Sequence, residues 1–155
     1  MTGIMFVCHG NICRSPMAEF VFKYLADKAG LSGCFTVASS ATSTEEIFCG
    51  VGNPIYPPAA DELLKHKIPF TDRRAVQLKK SDYEKYDLFV VMDMRNIRGI
   101  NAIFGNDPDG KVKKLMDFAG GGDVADPWYS GDFDGAYNDI YKGCRALLEY
   151  LRGAM

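Results

Sequence analysis

The sequence has 155 residues, of which 47% are hydrophobic and 25% are charged, and its formal net charge at pH 7 is −2. This composition is typical of one globular domain; no lysine or arginine block suggests a nucleic-acid partner, and no apolar run approaches the roughly 20 residues of a membrane span. The start of the chain does not resemble a signal peptide and the five cysteines lack a disulfide-scaffold spacing, so we expect a cytoplasmic protein.

The first predicted elements are a strand, a loop and a helix. The apolar run at residues 4–7 predicts a buried strand. Ser15 and Pro16 predict a helix start, with the serine as N-cap and the proline at the first helical position. Five residues separate Cys8 from Arg14 in the loop between these elements.

This loop has the residues of an oxyanion-binding site. A loop that leads from a strand into a helix turns its N–H groups inward, at the positive end of the helix dipole. A helix N-terminus and a nearby cation favour the thiolate form of Cys8, and Arg14 can donate two parallel hydrogen bonds to phosphate oxygens. Gly10 and Asn11 tolerate the tight turns that such a loop needs. Together these residues predict phosphoryl transfer through a cysteinyl-phosphate.

The rest of the chain alternates between helices and strands. The predicted elements, in order, are a helix that ends near Gly30, a strand at 35–38, a long connection at 39–58, a helix from 57 toward 66, a capped turn at 81–84, a central strand at 88–92, a helix at 95–104, a strand at 112–116, a long loop at 117–132 and a final helix.

This alternation predicts an α/β fold with a parallel sheet and helices on both faces. We expect a single domain over residues 1–155, a three-layer sandwich of the flavodoxin-like, doubly wound type, with four parallel strands and the phosphate loop after the first strand. Ligands of such sheets bind at the carboxyl ends of the strands, where the Cys8 loop, Ser39 and Asp93 fall.

Residues 7–16, 39–43, 92–93 and 126–129 resemble the low-molecular-weight protein tyrosine phosphatases, and the resemblance covers nearly the whole chain. It implies hydrolysis of phosphotyrosine in protein substrates without a metal or an organic cofactor, and we expect a monomer or weak dimer. In the family pattern Cys8 attacks phosphorus while Arg14 and the loop amides hold the phosphate or a similar oxyanion. The phosphate-binding residues are then His9, Gly10, Asn11, Ile12, Cys13, Arg14 and Ser15.

Asp126 is the second catalytic candidate. A tyrosyl leaving group has a pKa of about 10, so its departure needs a proton donor, which the cysteine loop lacks. The family's general acid is an aspartate before a proline at this point of the chain, although such a pair is also common in turns. The resemblance further implies that Trp128 and Tyr129, with His9, wall a pocket for an aryl phosphate.

Cys13 has three interpretations. It packs in the core, or it ligates a metal with Cys8 and His9, or it is the family's resolving thiol, which traps oxidised Cys8 as a disulfide. The other cysteines show no second ligand pair, which weighs against a metal site. We expect these three to be structural: Cys34, Cys49 and Cys144.

The resemblance also assigns supporting roles and shows two departures. Ser39 and Asn11 match residues that buttress the loop by hydrogen bonds, and Ser15 matches a serine that hydrogen-bonds the nucleophile. Arg73 and Val76 stand where the family usually has a histidine and an arginine, a change that concerns the support of Asn11. Residues 48–51 form an insertion beside the rim of the pocket.

Three other functions fit parts of the pattern. A thiol-dependent arsenate reductase needs further cysteines to relay a disulfide, and no close pair follows Cys13. A phosphoarginine phosphatase typically has threonine where this chain has Ile12, which favours aryl substrates. A non-catalytic phosphoprotein-binding module could lose the nucleophile or the acid, so the presence of Cys8, Arg14 and Asp126 together argues against it.

Overall fold

The structure, a computed structural model, describes all 155 residues. It contains six strands: β1 (Thr2–Cys8), β2 (Phe35–Ala41), β3 (Ile47–Phe48), β4 (Val51–Gly52), β5 (Leu88–Val91) and β6 (Val112–Lys114). It contains five α-helices: α1 (Arg14–Lys28), α2 (Pro57–Lys65), α3 (Met94–Phe104), α4 (Pro127–Ser130) and α5 (Phe133–Gly153). Short 3₁₀ segments lie at Ser32–Cys34, Lys80–Glu84 and Leu115–Ala119. No helix is both long enough and apolar enough to cross a bilayer.

Four of the strands form one parallel sheet in the order β2-β1-β5-β6, which confirms the predicted fold. The register places Cys8 opposite Ala41 and Val7 opposite Val91. The carboxyl ends of three neighbouring strands therefore meet at Cys8, and the chain segments that follow them surround this residue.

Side chains of β1 alternate between two hydrophobic layers, as the pleat of a strand dictates. Ile4 and Phe6 join the core under α1, α2 and α5. Met5 and Val7 join a smaller core under α3, which contributes Ile100. Because both faces of the strand are buried, β1 holds the start of the following loop in a fixed position.

Helix α1 begins differently from the prediction. Its N-cap is Cys13, which makes no side-chain capping bond, and Ser15 is the second helical residue. The Ser15 hydroxyl cannot cap the helix because it is engaged inside the loop. Pro16 occupies the third helical position, where its missing N–H is still one of the donors that lack a partner within the helix.

The predicted connections contain more regular structure than the sequence indicates. β2 continues through the polar residues 39–40 to Ala41, because it pairs with β1 along its whole length. Residues 47–52 form a small antiparallel hairpin, in which Cys49 and Gly50 both have positive φ, as in a type I′ turn. β6 ends at Lys114, where its pairing with β5 stops, and the chain continues as a 3₁₀ segment.

Candidate active site

The loop between β1 and α1 surrounds a cavity of about 130 Å³ at the carboxyl edge of the sheet. Asn11 has a φ of 58°, a conformation that asparagine tolerates better than most residues. The cavity is lined by Cys8, His9, Gly10, Ile12, Cys13, Arg14, Glu45, Glu46, Asp126, Trp128 and Tyr129. The structure therefore brings together the predicted nucleophile, the predicted cation, the predicted acid and both predicted aromatic walls.

The Cys8 sulfur lies at the end of a short hydrogen-bond chain. Its Sγ is 3.0 Å from the Ser15 hydroxyl, and Asn11 Nδ2 donates to the same hydroxyl at 2.8 Å. A hydroxyl that accepts from Asn11 keeps its own proton free to donate to the Cys8 sulfur. The side chains of Asn11 and Ser15, predicted among the phosphate-binding residues, do not line the cavity; both are fully buried and hold the loop from within.

Arg73 supports Asn11 where the family pattern has a histidine. Its Nη1 donates to the Asn11 carbonyl oxygen at 2.6 Å, and its Nη2 donates to Asn11 Oδ1. The backbone N–H of Val76 donates to the same Oδ1 at 3.0 Å, a contact that does not depend on the side chain. Burial lowers the pKa of Arg73, although the negative charges of Glu19 and Cys8 act to raise it. Asn11 is therefore still held by hydrogen bonds, although positions 73 and 76 differ from the family pattern.

The Arg14 guanidinium is almost fully buried, at 3% exposure. Its Nη1 donates to Asp93 Oδ2 at 2.7 Å and to the Val124 carbonyl at 2.8 Å, while Nη2 lies 3.5 Å from Asp126 Oδ2. Burial opposes its charge, but Cys8, Asp93 and Asp126 together raise the pKa of Arg14. The cation stays charged because three negative groups outweigh its desolvation.

Asp93 is the functional residue that sequence reasoning placed but gave no role. It is the N-cap of α3, where its Oδ1 accepts from the Asn96 N–H at 2.9 Å. Burial opposes its negative charge, but the hydrogen bonds from Arg14 and Asn96 and the charge of Arg95 hold its pKa below the ordinary value. The sequence signal for Asp93 is an acidic residue after a buried strand with Asn96 three residues later, a spacing that indicates a capped helix start.

Asp126 caps α4 and lines the cavity. Its Oδ1 accepts from the Trp128 N–H at 3.0 Å, which leaves Oδ2 directed to Arg14. Trp128 and Tyr129 are exposed, and the Trp128 ring packs 5.1 Å from the ring of Tyr56. The short helix thus carries the carboxylate and both aromatic walls as one unit.

Two predictions about supporting residues are wrong. Ser39 does not contact the loop; its hydroxyl donates to Glu19 at 2.6 Å, because its register opposite Phe6 lies two residues before the end of β1. Cys49 is exposed at the turn of the hairpin and is not a packing residue. Cys144, in contrast, is buried between α5 and α1 as expected, with its thiol 3.6 Å from the Ala18 carbonyl.

The acidic side of the cavity was not anticipated. Glu45 and Glu46 line it, and Glu45 Oε2 lies 3.0 Å from His9 Nε2. Glu46 also holds the hairpin, since its carboxylate accepts from Asn53 at 3.2 Å. No group of three or more His, Cys, Asp or Glu side chains is arranged to hold a metal.

Comparison with known proteins finds one family over nearly the whole chain. The family model described as low molecular weight phosphotyrosine protein phosphatase matches residues 3–154. The chain is 35% identical to the low molecular weight protein-tyrosine-phosphatase YfkJ of Bacillus subtilis, over 96% of this chain and 94% of that protein. It is 35% identical to the human low molecular weight phosphotyrosine protein phosphatase, over 94% and 93%.

Solved structures give the same result. The crystal structure of Bacillus subtilis YfkJ superposes with a TM-score of 0.92 at 33% identity and covers 99% of this chain and 96% of that chain. The YwlE arginine phosphatase superposes with a TM-score of 0.80 at 29% identity, over 97% and 96%.

Replacing Arg73 with glutamine should weaken binding of inorganic phosphate. The change removes the charged donor from two oxygens of Asn11, and hydrogen bonds to charged groups contribute about 1.5–3 kcal/mol each, so we expect the Kd for phosphate to rise at least about tenfold. Calorimetric titration measures it, with Arg74→Gln, an exposed neighbour, as the control. Equal phosphate affinity in both variants would show that Val76 alone holds Asn11.

Proposed function

The chain belongs to the low molecular weight phosphotyrosine protein phosphatase family and is a protein tyrosine phosphatase, and on this premise we propose that Cys8 is its nucleophile, Arg14 its phosphate-binding cation and Asp126 its general acid. The observation that carries the assignment is their convergence: Cys8 and Arg14 of one loop line one small cavity with Asp126, which lies 112 residues after Arg14.

In the first step the Cys8 thiolate attacks phosphorus. The phosphorus–sulfur bond forms as the bond to the tyrosyl oxygen breaks, and Asp126 gives its proton to the departing oxygen. In the second step Asp126 takes a proton from the water that attacks the phosphocysteine, which releases phosphate and restores the thiolate. The same carboxyl group therefore acts as acid and then as base.

Arg14 is oriented for phosphate before any ligand arrives. Because Asp93 and Val124 both accept from Nη1 and Asp126 lies near Nη2, the Nε–H and one N–H of Nη2 remain for two phosphate oxygens. A planar pair of donors fixed in a buried position costs no reorganisation when negative charge develops on those oxygens. We assign the remaining phosphate contacts to the backbone amides of residues 9–15.

The walls of the cavity fit an aryl group. Trp128 and Tyr129 contribute aromatic rings to the lining, and Ile12 contributes an apolar side chain. An apolar Ile12 offers no acceptor for the N–H groups of a phosphoarginine side chain, so the cavity supports phosphotyrosine as the substrate group.

The five thiols are free, the form that a reducing compartment preserves, and this supports a cytoplasmic location.

Cys8→Ser should abolish turnover and leave phosphate binding intact. A serine hydroxyl stays un-ionised where a thiolate forms, so we expect kcat on an aryl phosphate to fall at least about a thousandfold while the Kd for phosphate changes by less than about threefold. Cys49→Ser, at the exposed hairpin turn, is the matched control and should retain full activity. Turnover of the Cys8→Ser protein within tenfold of wild type would contradict the nucleophile assignment.

Asp126→Asn should lower kcat on phosphotyrosine by about 10²–10⁴-fold, the usual contribution of general acid catalysis. The asparagine oxygen can still accept from the Trp128 N–H, so the cap of α4 persists and the loss reports on the proton. The loss should shrink along a series of aryl phosphates with increasingly acidic phenols, which depart without a proton.

Asp123→Asn is the control for this series, because Asp123 is exposed in the same loop and pairs with Lys114 outside the cavity. A loss that is equal for all leaving groups would rule out the acid role of Asp126.

We also propose that Cys13 protects the oxidised enzyme. Burial, with the negative charges of Cys8 and Asp126, raises the pKa of Cys13 to about 12, so its thiol is protonated and resists peroxide near neutral pH. Oxidation of Cys8 to a sulfenic acid removes one of those charges and makes Cys13 easier to ionise. Its thiolate then displaces hydroxide from the Cys8 sulfur, which gives a disulfide and water after protonation.

Brief peroxide treatment tests this role. Wild type should recover activity with dithiothreitol and show a Cys8–Cys13 disulfide by mass spectrometry, whereas Cys13→Ser should accumulate irreversible oxides. Because the pKa of Cys13 lies far above the working range, disulfide formation should accelerate as pH rises from about 6.5 to 8.5. Equal recovery of both proteins would leave Cys13 a packing residue.

A further inference from the structure

A second groove adjoins the catalytic cavity and shares one residue, His9, with it. We call it the anion groove; it has a volume of about 410 Å³. Its lining residues are His9, Thr42, Ser43, Arg95, Arg98, Gly99, Ala102 and Ile103. The segment after β2 forms one wall and the exposed face of α3 forms the other.

The anion groove carries two positive charges that the protein does not neutralise. Arg95 and Arg98 lie one helical turn apart on α3, and both are exposed. Neither forms an ion pair, although the chain has more acidic than basic residues. The Arg95 guanidinium lies 5.9 Å from the centre of the Tyr129 ring, so the positive region reaches the aromatic wall of the cavity.

The acidic side chains around the cavity lie elsewhere. Glu45 and Glu46 line the catalytic cavity but not the anion groove. Glu45 contacts His9, the residue that the two depressions share. A substrate chain that leaves the cavity thus meets negative charge at the glutamates and positive charge at α3. Charges arranged in this way select the direction and composition of a bound chain.

The floor of the anion groove is fixed to the catalytic loop. The N–H of Thr42 donates to the Cys8 carbonyl and the N–H of Ser43 donates to the His9 carbonyl, both at 3.0 Å. Gly99 allows α3 to lie directly against this segment, since a Cβ atom there would lie 2.8 Å from the Thr42 Cβ. The two arginines therefore keep a constant position relative to the nucleophile.

We propose that the anion groove binds acidic residues that flank the phosphotyrosine of a protein substrate, and that Arg98 is a specificity-determining residue for them. This rests on the proposed function, because the phosphotyrosine must occupy the adjoining cavity. An extended chain advances about 3.3 Å per residue, so residues next to the phosphotyrosine reach the groove that begins at His9. Each exposed ion pair contributes modestly, which produces a preference among substrates and not an absolute requirement.

The experiment compares kcat/KM on three phosphotyrosine peptides that differ only in their flanks: glutamates, glutamines or lysines, placed on each side of the phosphotyrosine in turn. Wild type should favour the glutamate peptide over the glutamine peptide by about three- to tenfold for one side. Arg98→Gln should remove most of this preference and Arg98→Glu should reverse it. Salt at about 0.5 M should weaken the preference in wild type, because the charges are exposed.

Two controls separate this inference from the assignment of the catalytic residues. Arg145→Gln changes the same charge on α5, across the sheet from α3, and should keep the wild-type preference. A small aryl phosphate has no flanks, so wild type and Arg98→Gln should hydrolyse it equally. Failure of wild type on that substrate would overturn the proposed function instead.

Equal kcat/KM of wild type for the three peptides would overturn the inference, as would a preference for lysine flanks. A preference for glutamate that survives in Arg98→Glu would place the acidic residues of the substrate outside the anion groove and would also overturn it.

Discussion

The buried guanidinium of Arg14 is the constraint on which the rest of the site depends. A cation at 3% exposure is tolerated only when its hydrogen bonds and charge are satisfied, and an unpaired one destabilises a fold by about 3–5 kcal/mol. Its partners are Asp93 after β5, the Val124 carbonyl and Asp126 before α4. Satisfying this one side chain brings three distant segments to the same edge of the sheet.

The loop below the cavity is likewise held by satisfying a buried polar side chain, in this case the neutral amide of Asn11. Asn11 is fully buried, and its amide is satisfied on both sides: Nδ2 donates to Ser15, and Oδ1 accepts from Arg73 and Val76. A buried polar network is favourable only when every member has a partner, so the loop has a single arrangement. This arrangement places the Ser15 hydroxyl beside Cys8, so the bonds that hold the loop also position the hydrogen-bond partner of the Cys8 sulfur.

The sequence predicts features that depend on neighbouring residues, but it does not predict contacts between segments that are distant in sequence. The strand, the loop and the roles proposed for Cys8 and Arg14 follow from the single stretch of residues 4–16, and the order of elements predicts the parallel sheet. The resemblance implies that Ser39 supports the loop, but the distance of this residue from the loop depends on the register of β2 with β1. Asp93 lacked a role because nothing in its own neighbourhood shows which cation it contacts. The resemblance connects the position of Arg73 with the support of Asn11, but only the fold shows that its guanidinium crosses 62 residues of sequence to donate to Asn11.

The distribution of charge around the cavity shows why such contacts bear on function. Inside, Asp93 and Asp126 both lie against Arg14, so these charges are paired with one another within the protein. Outside, Glu45 and Glu46 line the catalytic cavity, and Arg95 and Arg98 line the anion groove without carboxylate partners. Charged groups that form ion pairs within the protein already have partners, whereas exposed charged groups without such partners remain available to a ligand. The contacts of Arg14 therefore hold the segments of the candidate site together, and the unpaired arginines of α3 are the groups that we propose to contact acidic residues of a substrate.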